Sequence, residues 1–426
     1  MSKQLKVTLV FTGIGICGFD TGSSDDRERY HIGHGIASVG ASAKAAGYEV
    51  NLIDLRTLKG WDEFVAKIKA DPADVYGISI SQADKKSGAE LIDKIKETLP
   101  GSKIIVGGVH PTVFPFAYEG KGVTVVVGEG EVTFVDLLKM IESGAVLPGI
   151  IRGIKPDLDK IPWADRELFD YKKELECLFS NDQPGPSVTV LAGRGCPMSC
   201  TYCQPAENMV FGKPYRMRSP ENVISELRYL HDKYHFKNII FWDDTFTINK
   251  KWLMDFCDLY EVQNFGATLS VNSRADFICN NEDMVARLAS IGVNWLLVGL
   301  ETGSQRLLDF IKKGTTVDQN KRAVDIARKY GISTYATIMY GLPTETREES
   351  LATYNMINEA NPAYTMVFWF LPIPGTEIYK FCVDNDLILP GVLDRTIRRT
   401  ATHIPTLKNI DYDYIWSALM APRMAA

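Results

Sequence analysis

The absences in this sequence narrow its function before any motif is considered. Among its 426 residues, no apolar run approaches the ~20 needed to span a bilayer. Positive charge is not in excess: 47 Lys and Arg stand against 53 Asp and Glu, a net charge of −6, which argues against a nucleic-acid partner. The first residues, MSKQLKVTLVFTG, hold a short apolar segment but no signal-peptide core with a small-residue cleavage site. They read as a buried first strand. Of eight cysteines, five are scattered singly, so no disulfide framework is suggested. A cytoplasmic, reducing location is the expectation, and there clustered thiols point to metal or redox chemistry.

A globular composition is present, with 45% hydrophobic and 23% charged residues, in a chain too long for one ordinary core. The first part alternates β-rich runs (KVTLVF, EVNLIDL, DVYGISIS, KIIVGG, VTVVVGEG) with helical patterns such as SGAELIDKIKETLPG and VTFVDLLKMIESG. Such alternation implies βαβ units and a parallel sheet, which binds ligands beyond the carboxyl ends of its strands. Glycines gather there, in TGIGICG, GGVHPT and GEGE. Each could be only a tight turn. Four turns of this kind on one edge, the SIS after the third strand included, favour a ligand crevice. The spacing is not the G-x-G-x-x-G dinucleotide fingerprint.

A Pro- and charge-rich stretch follows, and from Ser187 a second alternating series supplies six further strands. The expected fold is α/β: an N-terminal flavodoxin- or Rossmann-like parallel sheet over 1–145, a linker over 146–186, a partial (β/α)6 TIM-type barrel over 187–380, and a short C-terminal extension over 381–426. Barrel chemistry is expected at the carboxyl ends of the strands.

The first barrel strand leads into GRGCPMSCTYCQP, where Cys196, Cys200 and Cys203 have the spacing C-x3-C-x2-C. Zinc would ordinarily take a fourth ligand, and no histidine lies within twenty residues of the loop. Three thiolates instead suit a [4Fe–4S] cluster with one iron open. Three structural cysteines in a reduced core are the bland alternative.

With Tyr202 before the last cysteine, this loop resembles that of the radical S-adenosylmethionine (SAM) superfamily. The resemblance implies that SAM chelates the open iron and is cleaved reductively to methionine and a 5′-deoxyadenosyl radical. It extends to FWDDTF, SVNSRADFI, VGLETGS, YGLPTET and PIPGT at later strand ends. By it, Tyr202, Asp243, Asp244, Asn272, Arg274, Glu301 and Gly341 surround SAM, with Arg274 a candidate for the carboxylate. Read from the residues alone, Asp243 and Asp244 could also cap a helix and Arg274 could form an ion pair.

The N-terminal part resembles the cobalamin-binding domain of cobalamin-dependent radical SAM proteins. That implies a corrinoid whose tail runs along Gly13, Gly15, Ser79, Ser81, Gly107, Gly108, Gly128, Glu129 and Gly130. The D-x-H-x-x-G motif that would supply a lower-face histidine is absent, and His31, His34 and His110 do not replace it. Cys17 could approach the corrin, but a small buried hydrophobe is its commoner role.

The implied reaction is methyl transfer, by way of methylcobalamin, to an unactivated centre of a small-molecule or peptide substrate, with an electron donor such as flavodoxin or ferredoxin. A second reading is oxidative cyclisation, since PYRMRSPENVISEL and TTVDQNKRAV resemble the anaerobic magnesium-protoporphyrin monomethyl ester cyclase. A third is a non-catalytic corrinoid carrier. A methylthiotransferase would need a second cysteine triad, and the N-terminal part holds only Cys17. Phe368, Trp369 and Phe370 are either core or a substrate wall. No catalytic acid or base is nominated.

Overall fold

A computed structural model describes residues 5–20, 31–176, 185–213, 215–394 and 405–420. The chain divides into two compact units: Met1–Asn181 with Met209–Gly212, and Asp182–Asn208 with Lys213–Ala426.

The first unit is a six-stranded parallel sheet in the spatial order 2-1-3-4-5-6. Its strands are Lys6–Phe11, Glu49–Asp54, Val75–Ser79, Lys103–Gly107, Thr124–Val127 and Ile150–Arg152. The central strands are apolar almost throughout, as burial on both faces demands. Helices His34–Ala45, Trp61–Ala70, Lys85–Thr98 and Glu131–Glu142 provide the cover. One core joins Phe64, Ile68, Leu91, Ile92 and Ile95 from helices to Val10, Tyr76, Ile78 and Val106 from strands. The strand order reverses between the first and third strands, and that switch point is where such sheets open a crevice.

The sixth strand corrects the expected boundary. Ile150–Arg152 lies in the stretch read as a linker, yet it pairs in parallel with Val125–Val127. Arg166–Leu168, a 3-10 turn, also packs here, with Leu168 against the helix at Gly40. The unit therefore extends well past residue 145. Of the expected linker, residues 177–184 lie outside the described residues.

The second unit holds Ser187–Val190, Asn238–Phe241, Thr268–Ser273, Val293–Glu301, Ser333–Tyr340 and Tyr364–Trp369, paired in sequence order and all parallel. The first and sixth strands do not pair, so the barrel is open on one side. Helix starts follow local chemistry. Ser219 caps a helix with Pro220 at its first position, and Thr316 with Gln319 and Thr346 with Glu349 form capping boxes.

Residues 405–420 dock on this unit. Leu407 joins Leu307, Ile311, Leu342, Phe370, Ile378 and Cys382 in a buried cluster, and Thr406 donates to the Phe370 carbonyl at 2.7 Å. The expected extension thus contributes to the core of the unit. Its residues 395–404 and 421–426 lie outside the described residues. Among the described residues, no helix is long and apolar enough to cross a membrane.

Candidate functional site

After the first barrel strand the chain forms a short antiparallel pairing, Gly193 with Met217 and Arg194 with Arg216, that carries the cysteine loop outward. The loop coils back on itself: Cys203 and Gln204 backbone N–H groups both donate to the Cys200 carbonyl, at 3.1 and 2.9 Å. The Thr201 N–H donates to Ile311 O at 3.0 Å, and the Thr201 carbonyl accepts from Ile378 N at 3.1 Å. The thiols are thereby presented on a loop held from two sides.

Cys196, Cys200 and Cys203 rim a cavity of about 250 Å³ at the strand ends. Its wall includes Tyr202, Asp244, Asn272, Arg274 and Glu301, so five residues expected around SAM converge in one space. Among the described residues, no three His, Cys, Asp or Glu side chains come together tightly enough to hold a single metal ion. Three thiols spread around a cavity fit the larger [4Fe–4S] cluster better than a lone zinc. Burial raises the Cys196 thiol above its ordinary value; it does the same to Cys203, which is accessible through the cavity although protein surrounds it. Iron ligation would supply the positive charge that displaces those protons.

Two expected residues stand apart from the cavity wall. Asp243 is buried and accepts hydrogen bonds from the Ala192 and Gly193 N–H groups at 3.0 and 2.5 Å. Burial pushes its carboxyl up to about 7 against those donors. It anchors the root of the cysteine loop, and its carbonyl accepts from Asn272 at 2.8 Å. Gly341 donates to Glu345 at 2.6 Å, and a Cβ there would lie 3.0 Å from the Tyr412 ring. Its absent side chain makes room for a residue of the C-terminal segment. Neither outcome is visible in a motif, because both partners are distant in sequence.

Two charged cavity residues were missed. Glu207, one helical turn beyond Cys203, faces Asp244; burial raises both carboxyls, Glu207 to about 8, with repulsion from Asp244 second in its case. Lys313 donates to Glu301 at 2.6 Å and to the Tyr202 hydroxyl at 3.2 Å, while that hydroxyl donates to Glu301 at 3.1 Å. Burial holds the Tyr202 phenol well above its ordinary range, the Glu301 charge adding to it. Gly299 leaves space for this arrangement: a Cβ would sit 2.3 Å from the Glu301 carboxylate and 2.8 Å from Lys313 Nζ, so one of the two would have to shift. Arg274 does form an ion pair, with Asp276 at 3.0 Å, and still reaches to within 4.0 Å of Cys200 Sγ. Phe370 is core, whereas Phe368 and Trp369 are half-buried.

In the first unit, the strand-end residues split into two groups. At the switch point they are committed to each other. Thr12 donates to Ser79 O at 2.8 Å, Gly15 N donates to Asp84 at 2.8 Å, and Ser81 donates to Asp84 at 2.6 Å. A Cβ on Gly15 would meet the Ala83 carbonyl at 2.3 Å, and one on Gly13 would meet Arg56 at 2.6 Å. Gly13, Gly15 and Ser81 thus close loop upon loop. Further along, a Cβ on Gly107 would meet nothing nearer than Val126, at 3.9 Å. Gly108 has φ +99° and a Cβ there would strike Ile80 O at 2.8 Å, with Ser79 Oγ at 3.2 Å. Gly128 donates to Thr112 Oγ1 at 2.9 Å, Glu129 is buried, and Gly130 precedes the helix Glu131–Glu142. The backbone at Gly107 is open, whereas the switch point is packed by its own loops. His110 lies 2.8 Å from the Tyr118 hydroxyl, and burial lowers its ring to about 4. Cys17 is a buried thiol.

Comparison with known proteins places this arrangement. Residues 190–357 match the radical SAM superfamily and residues 26–138 match the B12 binding domain. The chain is 32% identical over 348 residues to an uncharacterised methyltransferase of Pyrococcus horikoshii, covering 76% of this chain and 73% of that one. It is 26% identical over 369 residues to the anaerobic magnesium-protoporphyrin IX monomethyl ester cyclase of Rubrivivax gelatinosus, covering 81% of this chain and 65% of that one. Among solved structures, it superposes with a TM-score of 0.70 and 17% identity on the radical SAM methyltransferase TsrM of Kitasatospora setae, covering 91% of this chain and 77% of that one. The chain belongs to the radical SAM superfamily, among the members that carry a B12-binding domain. It is an enzyme whose cofactors are a [4Fe–4S] cluster, SAM and cobalamin.

Proposed function

We propose that this protein is a cobalamin-dependent radical SAM methyltransferase acting on an unactivated carbon or phosphorus centre of a small molecule in the cytoplasm. The observation that carries it is the cavity in which three thiols and five charged side chains converge at barrel strand ends, in a chain that also has a B12-binding domain. When bound, the cluster supplies one electron to SAM and the corrinoid carries the methyl group.

The chain's own residues do the rest. Cys196, Cys200 and Cys203 hold iron and leave one position open. Tyr202, Asp244, Asn272, Arg274 and Glu301 surround SAM, and Asp243 holds the loop root. In the first unit, the open backbone at Gly107 leaves room for the corrinoid tail. A reduced flavodoxin or ferredoxin supplies the electron.

The experiment is anaerobic reconstitution with iron, sulfide, corrinoid and SAM under a strong reductant. S-adenosylhomocysteine and 5′-deoxyadenosine should both form. Formation of 5′-deoxyadenosine without any S-adenosylhomocysteine would overturn methyl transfer. That result would favour the second reading, oxidative cyclisation, to which the similarity to the Rubrivivax cyclase lends weight.

A further inference from the structure

The helix Gln305–Phe310 ends in a turn, Ile311 to Gly314, that has no assigned role. The turn is conformationally costly at Lys312, which has φ +51°, while Gly314 at φ +72° takes a conformation only glycine adopts freely. Three successive residues of the cysteine loop are tied to it. Cys200 Sγ faces the Arg274 guanidinium, whose other nitrogen donates to the Lys313 carbonyl at 2.6 Å. Thr201 N–H donates to Ile311 O. The Tyr202 hydroxyl accepts from Lys313 Nζ.

The other partner of Lys313 is also held under strain. Glu301 has φ +62°, and the Thr302 N–H donates to Leu300 O at 2.8 Å, closing a three-residue turn around it. Turns of this hand are rare for a residue with a side chain. The register of the fourth strand against the fifth shifts at this point, and Asn320 Nδ2 donates to Leu300 O at 2.8 Å, supporting the turn from behind. Lys313 and Glu301 are both 7% exposed. A buried cation is therefore fixed by one arm to a strained carboxylate and by its backbone to the arginine nearest the thiols.

We infer that Lys313 is a positioning residue for the cluster loop, and that the opposed charges of Lys313 and Glu301 set the reduction potential of the cluster. The inference rests on the three-cysteine cluster and adds a residue that the sequence reading did not single out. A fixed cation near the cluster favours the added electron, and a fixed anion disfavours it; hydrogen bonds and charges around a cluster are what the protein uses to tune it.

The test is an EPR-monitored redox titration of the reconstituted protein without SAM, alongside iron and sulfide content. Lys313→Gln should shift the midpoint to a more negative value, and Glu301→Gln to a more positive one. The double variant should return near the parent, and Lys313→Arg should hold the parent value. If Lys313→Gln fails to keep its iron, the positive shift in Glu301→Gln carries the inference. Fully loaded Lys313→Gln and Glu301→Gln proteins with the parent potential would overturn it. A parent protein that assembles no cluster would overturn both this inference and the cofactor assignment beneath it, and iron content separates the two failures.

Discussion

The two units solve the same architectural problem differently. Each is a six-stranded parallel sheet with polar and glycine-rich loops at its carboxyl edge. In the first unit the loops at the switch point spend their polar groups on each other, as Gly15, Ser81 and Asp84 show, and the remaining strand ends offer backbone and space. In the second unit, charged side chains from five segments converge on one cavity. A sheet edge made of backbone suits a large ligand held by shape. An edge made of thiols, carboxylates and cations suits one held by ligation and charge.

The contrast can be broken most sharply at the thiols. Cys196→Ala, Cys200→Ala or Cys203→Ala should abolish 5′-deoxyadenosine formation while corrinoid binding persists; loss of corrinoid binding as well would show that the first unit does not hold the corrinoid independently of the thiols. Gly299→Ala is next in size. The new methyl group would displace the Glu301 carboxylate, and a shift of that kind should cost about 10- to 100-fold in kcat. Unchanged kcat with a normal circular dichroism spectrum would remove Glu301 from the site. Asp243→Ala strands the buried Ala192 N–H and the part-buried Gly193 N–H at the loop root and should cost about 1–3 kcal/mol in denaturant unfolding of the second unit, together with reduced iron loading.

A smaller effect tests the first unit alone. Burial lowers His110, and likewise His31, to about 4, below the ordinary 6.5. A folded value below the unfolded one means these rings add stability above pH 6.5 and lose it as pH falls toward 4. Thermal melts between pH 7.5 and 5 should therefore decline, and His110→Gln, which can keep the contact with Tyr118, should flatten part of that decline. An identical slope in the variant would show that His110 is not the group responsible.

The cysteine loop and most strands were legible because each is written locally. Lys6–Phe11 stands in the fold with the limits its apolar run suggests, and C-x3-C-x2-C is a chemical statement in eight residues. What was not legible depends on distant partners. Ile150–Arg152 is too short for a period to show, and only the edge of a finished sheet makes it a strand. Asp243 and Asp244 are neighbours of one type, yet one ties down backbone and the other faces the cavity. Lys313 sits in KKGTT, where nothing local singles it out until Glu301 folds back over Gly299 to meet it.

The contact between Gly341 and Tyr412 has a consequence for how the chain is built. The Tyr412 hydroxyl also takes part in hydrogen bonds with Thr406 and Leu407, and its ring lies 5.6 Å from that of Trp369. A ribosome that has delivered all six barrel strands has therefore not yet delivered the piece that seats against the fifth and sixth. A chain cut before Tyr412 would keep every motif by which the family is recognised and still lack the ring that packs over Gly341 and beside Trp369.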